Sequence, residues 1–252
     1  MTQSSRASTG GVVTAEAPVP DSEYLRTKFL ERIAHDLRGP AGVTLGALDE
    51  IERTLGPKAE ELRPLLRMAH RGLRRILRSA DRLDRTSQLG AKNRKWATAS
   101  SDLGVVVRQV SREVQLTEGR DRVIVEHTGD ATPCKASVDL PWVRAAFAEI
   151  VSNAIRFARA RVTIDTRETE TEVEVVISDD GNGFSGSIAP RFARRSDGGG
   201  GLGLSLPIVK DVVEAHGGRI KFHDRSREQP SQPGTSVSIT FPRSRATATV
   251  EP

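Results

Sequence analysis

The apolar residues of this chain hold a helical period through its early part and then abandon it. They recur as Leu25, Phe29, Ile33, Leu37, Leu45, Leu48, Ile51 and Leu55, and after a break at Gly56-Pro57-Lys58 as Leu62, Leu66, Ala69, Leu73, Ile76, Ala80 and Leu83. That spacing is the buried stripe of an α-helix, so the chain is constrained to begin as helix, turn, helix. Pro57 suits the opening of the second helix, while Pro64 kinks it or shifts its first turn. The 4-3 alternation runs over three heptads and asks for more partners than two helices provide each other. The expectation is a homodimer in which two hairpins pair into a four-helix bundle. The competing reading packs the hairpin on the rest of its own chain.

Past "GAKNRKWATASS" the pattern becomes mixed. Asp102 is placed to cap a helix running to about Leu116, and "RVIVEH" (Arg122 to His127) reads as a strand. Asp139 and Pro141 open a helix ending near Phe157, and "RVTIDT" and "EVEVVIS" alternate as paired strands. A glycine-rich loop then leads to a helix over about Leu204 to His216, and "GRIKFH" and "SVSITF" finish as strands. The fold class expected is therefore α+β with two domains: the hairpin, then an α/β sandwich with a mixed sheet and helices on one face. The boundaries expected are 1–20 disordered, 21–95 hairpin, 96–243 α/β domain and 244–252 flexible tail.

The formal charge of +5 invites a nucleic-acid reading, but the excess sits in one segment. Twelve basic and four acidic residues lie between Lys58 and Lys95, while the regions on either side are slightly acidic. Aromatic residues are almost absent there, so no base-stacking platform accompanies the charge and no nucleic-acid partner is expected. A solvated face and a dock for an acidic partner remain equal readings of the arginines of the second helix. The single Cys134 leaves no disulfide framework and fits a reducing compartment. No apolar run is long enough to span a bilayer, so no membrane insertion and a cytoplasmic location are expected.

Three motifs carry chemistry. In "ISDDGNG" a hydrophobic strand ends in a carboxylate, Asp179, followed by Gly181 and Gly183, which let the chain turn closely against a ligand; an ordinary Asp-Gly turn explains the same residues. In "RSDGGGGLGLSLPIVKDVVEAHGG" a glycine run enters a helix, and its backbone N–H groups form a phosphate cradle; a flexible linker is the alternative. In "AEIVSNAIRFA", Glu149 and Asn153 lie four apart on one face of an apolar helix. The neutral amide oxygen of Asn153 suits a Mg²⁺ shared with phosphates, Arg156 is within reach of a phosphate, and local backbone bonding is the alternative for the Asn.

In this order and spacing the three motifs resemble the nucleotide-binding domain shared by sensor histidine kinases, gyrases, heat-shock chaperones and mismatch-repair ATPases, over about Trp96 to Pro242. The resemblance implies ATP and Mg²⁺ as cofactors, Asn153 as the metal ligand, Asp179 as acceptor for the adenine amino group, and Gly201, Gly203 and Leu204 in the second glycine box. Phe192 resembles the lid phenylalanine of histidine kinases. "HDLRGP" resembles the phosphoacceptor box of the same kinases, which makes His35 the acceptor and Asp36 the carboxylate that orients it and takes its proton. His35 falls off the apolar stripe and is expected to face solvent. The implied activity is autophosphorylation of His35 followed by transfer to an aspartate of a response-regulator receiver domain. With no room for a sensor domain in the first 20 residues, the signal is expected to arrive through a separate sensory partner, through the N-terminal segment, or from sequence outside residues 1–252.

Three departures matter. Gly39 stands where these kinases usually carry Thr or Asn, a side chain associated with dephosphorylating the regulator, so weak phosphatase activity is expected; Gly39 and Pro40 should also loosen or bend the helix. Glu149 replaces a common Asn, as in gyrase-like ATPases and serine-phosphorylating kinases that use a Glu as base, which keeps those activities as rivals. The second glycine box reads in two registers that share Gly201 and Gly203, and the lid from about Phe184 to Gly200 is short, so a non-catalytic scaffold is the third reading.

Overall fold

The structure is a computed structural model that describes residues 22–56, 60–89, 94–118, 122–129, 133–183, 205–228 and 232–244. The expectations for residues 1–20, Phe192 and its lid, Gly201, Gly203 and Leu204 lie outside them.

Two long helices come first, α1 (Ser22–Leu55) and α2 (Arg63–Leu89). Pro64 sits in the opening turn of α2, where a missing N–H costs nothing. The helix α1 runs unbroken through Gly39 and Pro40. Pro40 has no N–H for the Asp36 carbonyl, and its own carbonyl accepts from Thr44 Oγ1 at 2.8 Å.

The contacts between the helices run antiparallel. Ser87 Oγ reaches the Thr27 carbonyl and Glu31, Arg38 reaches Asp81 and Asp84, and His70 reaches Asp49 at 2.8 Å. The apolar contact is thin, made by Ala34, Ala80 and Leu83 with Leu30 and Ile33 beside them. Much of the stripe read from the sequence stays uncovered, with Leu25, Phe29, Leu37, Ile51, Leu62 and Ile76 all exposed.

The rest is an α/β unit in the order β1 (Ala99–Asp102), α3 (Leu103–Glu118), β2 (Ile124–Gly129), β3 (Lys135–Val138), α4 (Leu140–Phe157), β4 (Arg161–Glu168), β5 (Glu172–Asp179), α5 (Ser205–Ala215), β6 (Arg219–Asp224), α6 (Arg225–Glu228) and β7 (Thr235–Pro242). Five strands form one mixed sheet in the order β2-β4-β5-β7-β6, with only the β2–β4 pair parallel. The helices α3, α4 and α5 share a single core with the sheet, built on Val107, Val143, Phe147, Ile155, Val209 and Val212 against Ile164, Val175, Ile177 and Ile239. The expected mixed sheet with helices on one face is present.

Some local features differ from the sequence reading. The segments β1 and β3 pair antiparallel as a separate two-stranded sheet, four residues each and too short to show a period. The strand read from "RVIVEH" starts and ends two residues later, at Ile124 and Gly129. Asp102 caps α3 as expected, accepting from Gly104 N at 3.0 Å and Val105 N at 3.2 Å. Asp139 does not cap α4 with its side chain: its carboxylate accepts instead from Ala97 N at 3.0 Å, tying the segment that leaves α2 to the start of α4. Backbone pairing continues through Ser244, whose N–H meets the Lys135 carbonyl.

Phe147 is completely buried between α4 and the sheet, with its ring edge-to-face on Phe241. Phe147→Ala should lower unfolding free energy by about 3–5 kcal/mol, read by chemical denaturation.

Candidate active site

Asp179 is the last residue of β5, and the period of two puts it on the same face as Val173, Val175 and Ile177, towards the core. Its side chain is consequently buried, at 5% relative exposure. Its Oδ1 accepts from Gly181 N at 2.9 Å and from Thr235 N at 3.3 Å. Burial pushes the carboxyl above its ordinary range, against the downward pull of those two N–H groups. A buried carboxylate with capacity left over is suited to a ligand that donates, such as an exocyclic amine.

The turn after Asp179 has room for glycine alone. A Cβ on Gly181 would lie 2.4 Å from the Phe157 carbonyl oxygen and 2.7 Å from Asp179 Oδ1, so the turn is pressed against the end of α4. Gly234, at φ +146°, would set a Cβ 1.9 Å from the Asp179 carbonyl oxygen, which is what allows the next residue, Thr235, to donate to Asp179. Gly234 and Thr235 escaped the sequence reading because they lie fifty-odd residues downstream and only strand pairing brings them near. Beside Asp179, burial pushes Asp180 upward but the N–H groups of Arg161, Ala160 and Arg159 outweigh it and hold its carboxyl below the ordinary range.

The helix α4 ends against this turn and carries Glu149, Asn153 and Arg156 on one face. Asn153 is half-buried and Arg156 is exposed, with its guanidinium 4.6 Å from the Phe157 ring centre. Burial, then the nearby Arg82 and Arg75, push Arg156 below its ordinary pKa. Glu149 is not free: Arg82 of α2 grips both its oxygens, Nε to Oε1 at 2.8 Å and Nη2 to Oε2 at 2.6 Å, with the two side chains 15% and 11% exposed. Next to it Arg78 and Ser152 both donate to Glu118, at 2.8 Å and 2.6 Å. No cluster of three or more His, Cys, Asp or Glu side chains among the described residues is arranged to hold a metal. The donor set fits a hydrated Mg²⁺ that arrives with phosphates, held by one neutral amide oxygen, better than a resident ion.

His35 stands on α1 with its side chain 87% exposed. Its Nδ1 lies 3.5 Å from Asp36 Oδ1, a long approach. One turn on, Arg38 bonds Asp81 at 2.9 Å and Asp84 at 3.2 Å on α2, fixing the turn that carries the imidazole. Asp81 holds Arg38 above its ordinary pKa. This anchor is not legible in the sequence, since charges on two different helices show no spacing relation.

Residues 138–245 match the family described as histidine kinase-, DNA gyrase B- and HSP90-like ATPase. The sensor-like histidine kinase SenX3 of Mycolicibacterium smegmatis is 28% identical over 234 residues, 87% of this chain and 57% of that one. Among solved structures, the mycobacterial sensor histidine kinase MprB has 27% identity and a TM-score of 0.50, over 58% of this chain and 97% of that one. This chain is related to the sensor histidine kinases. Its similarity to full-length ShkA, solved in complex with AMPPNP, reaches a TM-score of 0.64 over 87% of this chain and 47% of that one; at 20% identity that likeness concerns the fold, hairpin included. The chain spans 14% to 57% of the length of the curated relatives it matches. No described helix of this histidine-kinase relative is long and apolar enough to cross a membrane.

Because burial raises the folded-state pKa of Asp179, ionising it costs stability; the cost is absent below the unfolded carboxylate pKa and complete above the raised value. Asp179→Asn should therefore stabilise the nucleotide-free protein more near pH 8 than near pH 4, seen as a larger gain in thermal midpoint at the higher pH. Gly181→Ala should remove nucleotide binding in a calorimetric titration, because the turn cannot hold its place against Phe157 and Asp179.

Proposed function

We propose that this protein is an ATP-dependent protein histidine kinase that phosphorylates its own His35 and passes the phosphoryl group to an aspartate of a response-regulator receiver domain. The observation that carries the reading is an exposed imidazole on the first helix, with a carboxylate beside it, in a chain whose residues 138–245 match the histidine kinase-, DNA gyrase B- and HSP90-like ATPase family. In this reading residues 21–95 are the phosphotransfer hairpin, 96–243 bind nucleotide, and the protein works in the cytoplasm under a separate sensory partner.

Each residue has a defined task. Asp36, on the Nδ1 side of His35, favours the tautomer with the proton on Nδ1 and leaves the Nε2 lone pair outward as nucleophile. As Nε2 bonds the γ-phosphorus and the bond to the ADP oxygen breaks, positive charge builds on the ring and the Nδ1 proton moves to Asp36. Asp179 receives the adenine amino group, Arg156 and the amides at Gly201, Gly203 and Leu204 neutralise the phosphates, and Asn153 ligates Mg²⁺. The Mg²⁺ supplies charge neutralisation along the phosphate chain. Gly39 offers no side chain to position a water, which supports weak phosphatase activity.

Dimerisation through the hairpin is part of the proposal. It is supported by the apolar residues α1 and α2 leave exposed, Phe29 at 63% and Met68 at 62% among them. Glu149 as catalytic base is disfavoured here, because Arg82 occupies both its oxygens.

Incubation with γ-labelled ATP and Mg²⁺ should give acid-labile, base-stable phosphate that disappears in His35→Gln. Nucleotide turnover unchanged in that variant would instead support hydrolysis or serine phosphorylation, and no nucleotide binding at all would leave a scaffold. Phe29→Asp should convert dimer to monomer in light scattering.

A further inference from the structure

The backbone that meets Asp179 is held from behind by the opening turn of α6. The peptide unit joining Gly234 to Thr235 is planar and trans, so its carbonyl and its N–H point in opposite directions and move as one body. The carbonyl, on Gly234, accepts from Arg225 N at 2.9 Å, while the N–H, on Thr235, donates to Asp179 Oδ1 at 3.3 Å. The peptide unit before it carries the Gly234 N–H, which donates to Ser226 Oγ at 3.2 Å. Gly234 is the joint between these two planes, and a glycine is the residue least able to hold such a joint by itself. Arg225 and Ser226 hold it from both sides.

The Ser226 hydroxyl also gives. Its proton goes to the Asn182 carbonyl at 3.2 Å, inside the turn that follows Asp179. A serine oxygen has one proton to donate and lone pairs to receive, and here the two capacities are spent on different strand ends. The turn sits hard against the same segment: a Cβ on Gly183, at φ +69°, would lie 2.4 Å from both Ser226 Oγ and Asp224 Oδ1. Asp224 Oδ1 accepts from Ser226 N at 3.1 Å, which sets where the hydroxyl stands. Asp179 takes its two N–H bonds from Gly181 and Thr235, and each of those is the neighbour of a residue that Ser226 holds.

We propose that Ser226 is a positioning residue for the Asp179 carboxylate: by joining Asn182 to Gly234 it aims the oxygens of Asp179 at a ligand amino group. The ligand rests on the proposed function, in which Asp179 receives the adenine amino group; the clasp itself does not. Both N–H groups land on Oδ1, so they fix the rotation of the carboxylate and with it the direction of Oδ2. A carboxylate held in this way discriminates between a ligand that donates and one that does not. Burial pushes Asp179 above its ordinary range and the Gly181 and Thr235 N–H groups pull it down, so slackening the Thr235 bond raises it further. What the clasp needs is a hydroxyl, which threonine keeps and alanine lacks.

The test compares the full chain with Ser226→Ala and Ser226→Thr in two measurements. The first follows the Asp179 carboxyl carbon by NMR against pH, without nucleotide; expected is a titration displaced to higher pH in Ser226→Ala and returned in Ser226→Thr. The second titrates ATP and purine riboside triphosphate, which lacks the exocyclic amino group, by calorimetry with Mg²⁺. Expected is a preference for ATP that falls about threefold or more in Ser226→Ala, with the analogue's affinity unchanged, and returns in Ser226→Thr. Ser226 is half-buried in a helix of four residues, so Ser226→Ala should keep the parent's far-ultraviolet circular dichroism. An unmoved Asp179 titration in Ser226→Ala would overturn the proposal, as would an ATP preference kept in that variant, whether or not both affinities fall. A displaced titration in a protein whose parent form shows no preference for ATP would uphold the clasp and overturn the adenine role of Asp179 instead.

Discussion

Arg82 leaves the side of α2 and lays its guanidinium along the Glu149 carboxylate on α4, two parallel bonds in a place that water barely reaches. Breaking such a pair from one side leaves a lone buried charge, a cost of about 3–5 kcal/mol. Arg78 and Ser152 converge on Glu118 alongside, so polar clasps join the second helix to α3 and α4. A junction of that kind is specific in geometry and reversible in principle, because its partners are well solvated once apart. In the proposed kinase reading, it suits a unit that brings nucleotide phosphates to a histidine on another helix.

The Asp179 end follows a different logic. A carboxylate is held buried because β5 keeps its period to the last residue, and the turn behind it is so tight that a single methyl at Gly181 or Gly234 meets a backbone carbonyl. Rigid backbone surrounds the group that would read the ligand, while long flexible side chains such as Arg156 stand where phosphate charge would need neutralising. The histidine end is the opposite of buried. His35 is held out in solvent, and its orientation is steadied from below by Arg38 on Asp81 and Asp84. The thin contact of Ala34, Ala80 and Leu83 lets α1 and α2 approach closely while leaving a second apolar surface uncovered.

Much of the architecture could be read in advance where the signal was local. The stripes of α1 and α2, the cap at Asp102, the alternation of β4 and β5 and the place of Asp179 at a strand end all depend on residues a few positions apart. The two-stranded β1–β3 sheet was invisible because four-residue segments show no period, and their pairing is decided by partners more than thirty residues away. The bond from the Asp139 carboxylate to Ala97 was invisible for the same reason. Sequence shows an acid before a helix, but not that the Ala97 N–H competes for it.

By itself, the sequence determined the period changes and the kinds of atoms available: a helical hairpin bearing His35, a mixed sheet, a carboxylate at the end of β5, and a band of arginine on α2. Tertiary structure alone decided which of those atoms meet. It set Arg82 on Glu149, brought Thr235 to Asp179 and placed Arg38 beneath His35. The reason is range: backbone periodicity is fixed by neighbours within a turn or two, whereas ion pairs and close backbone approaches depend on how distant elements pack, which no spacing along the chain encodes.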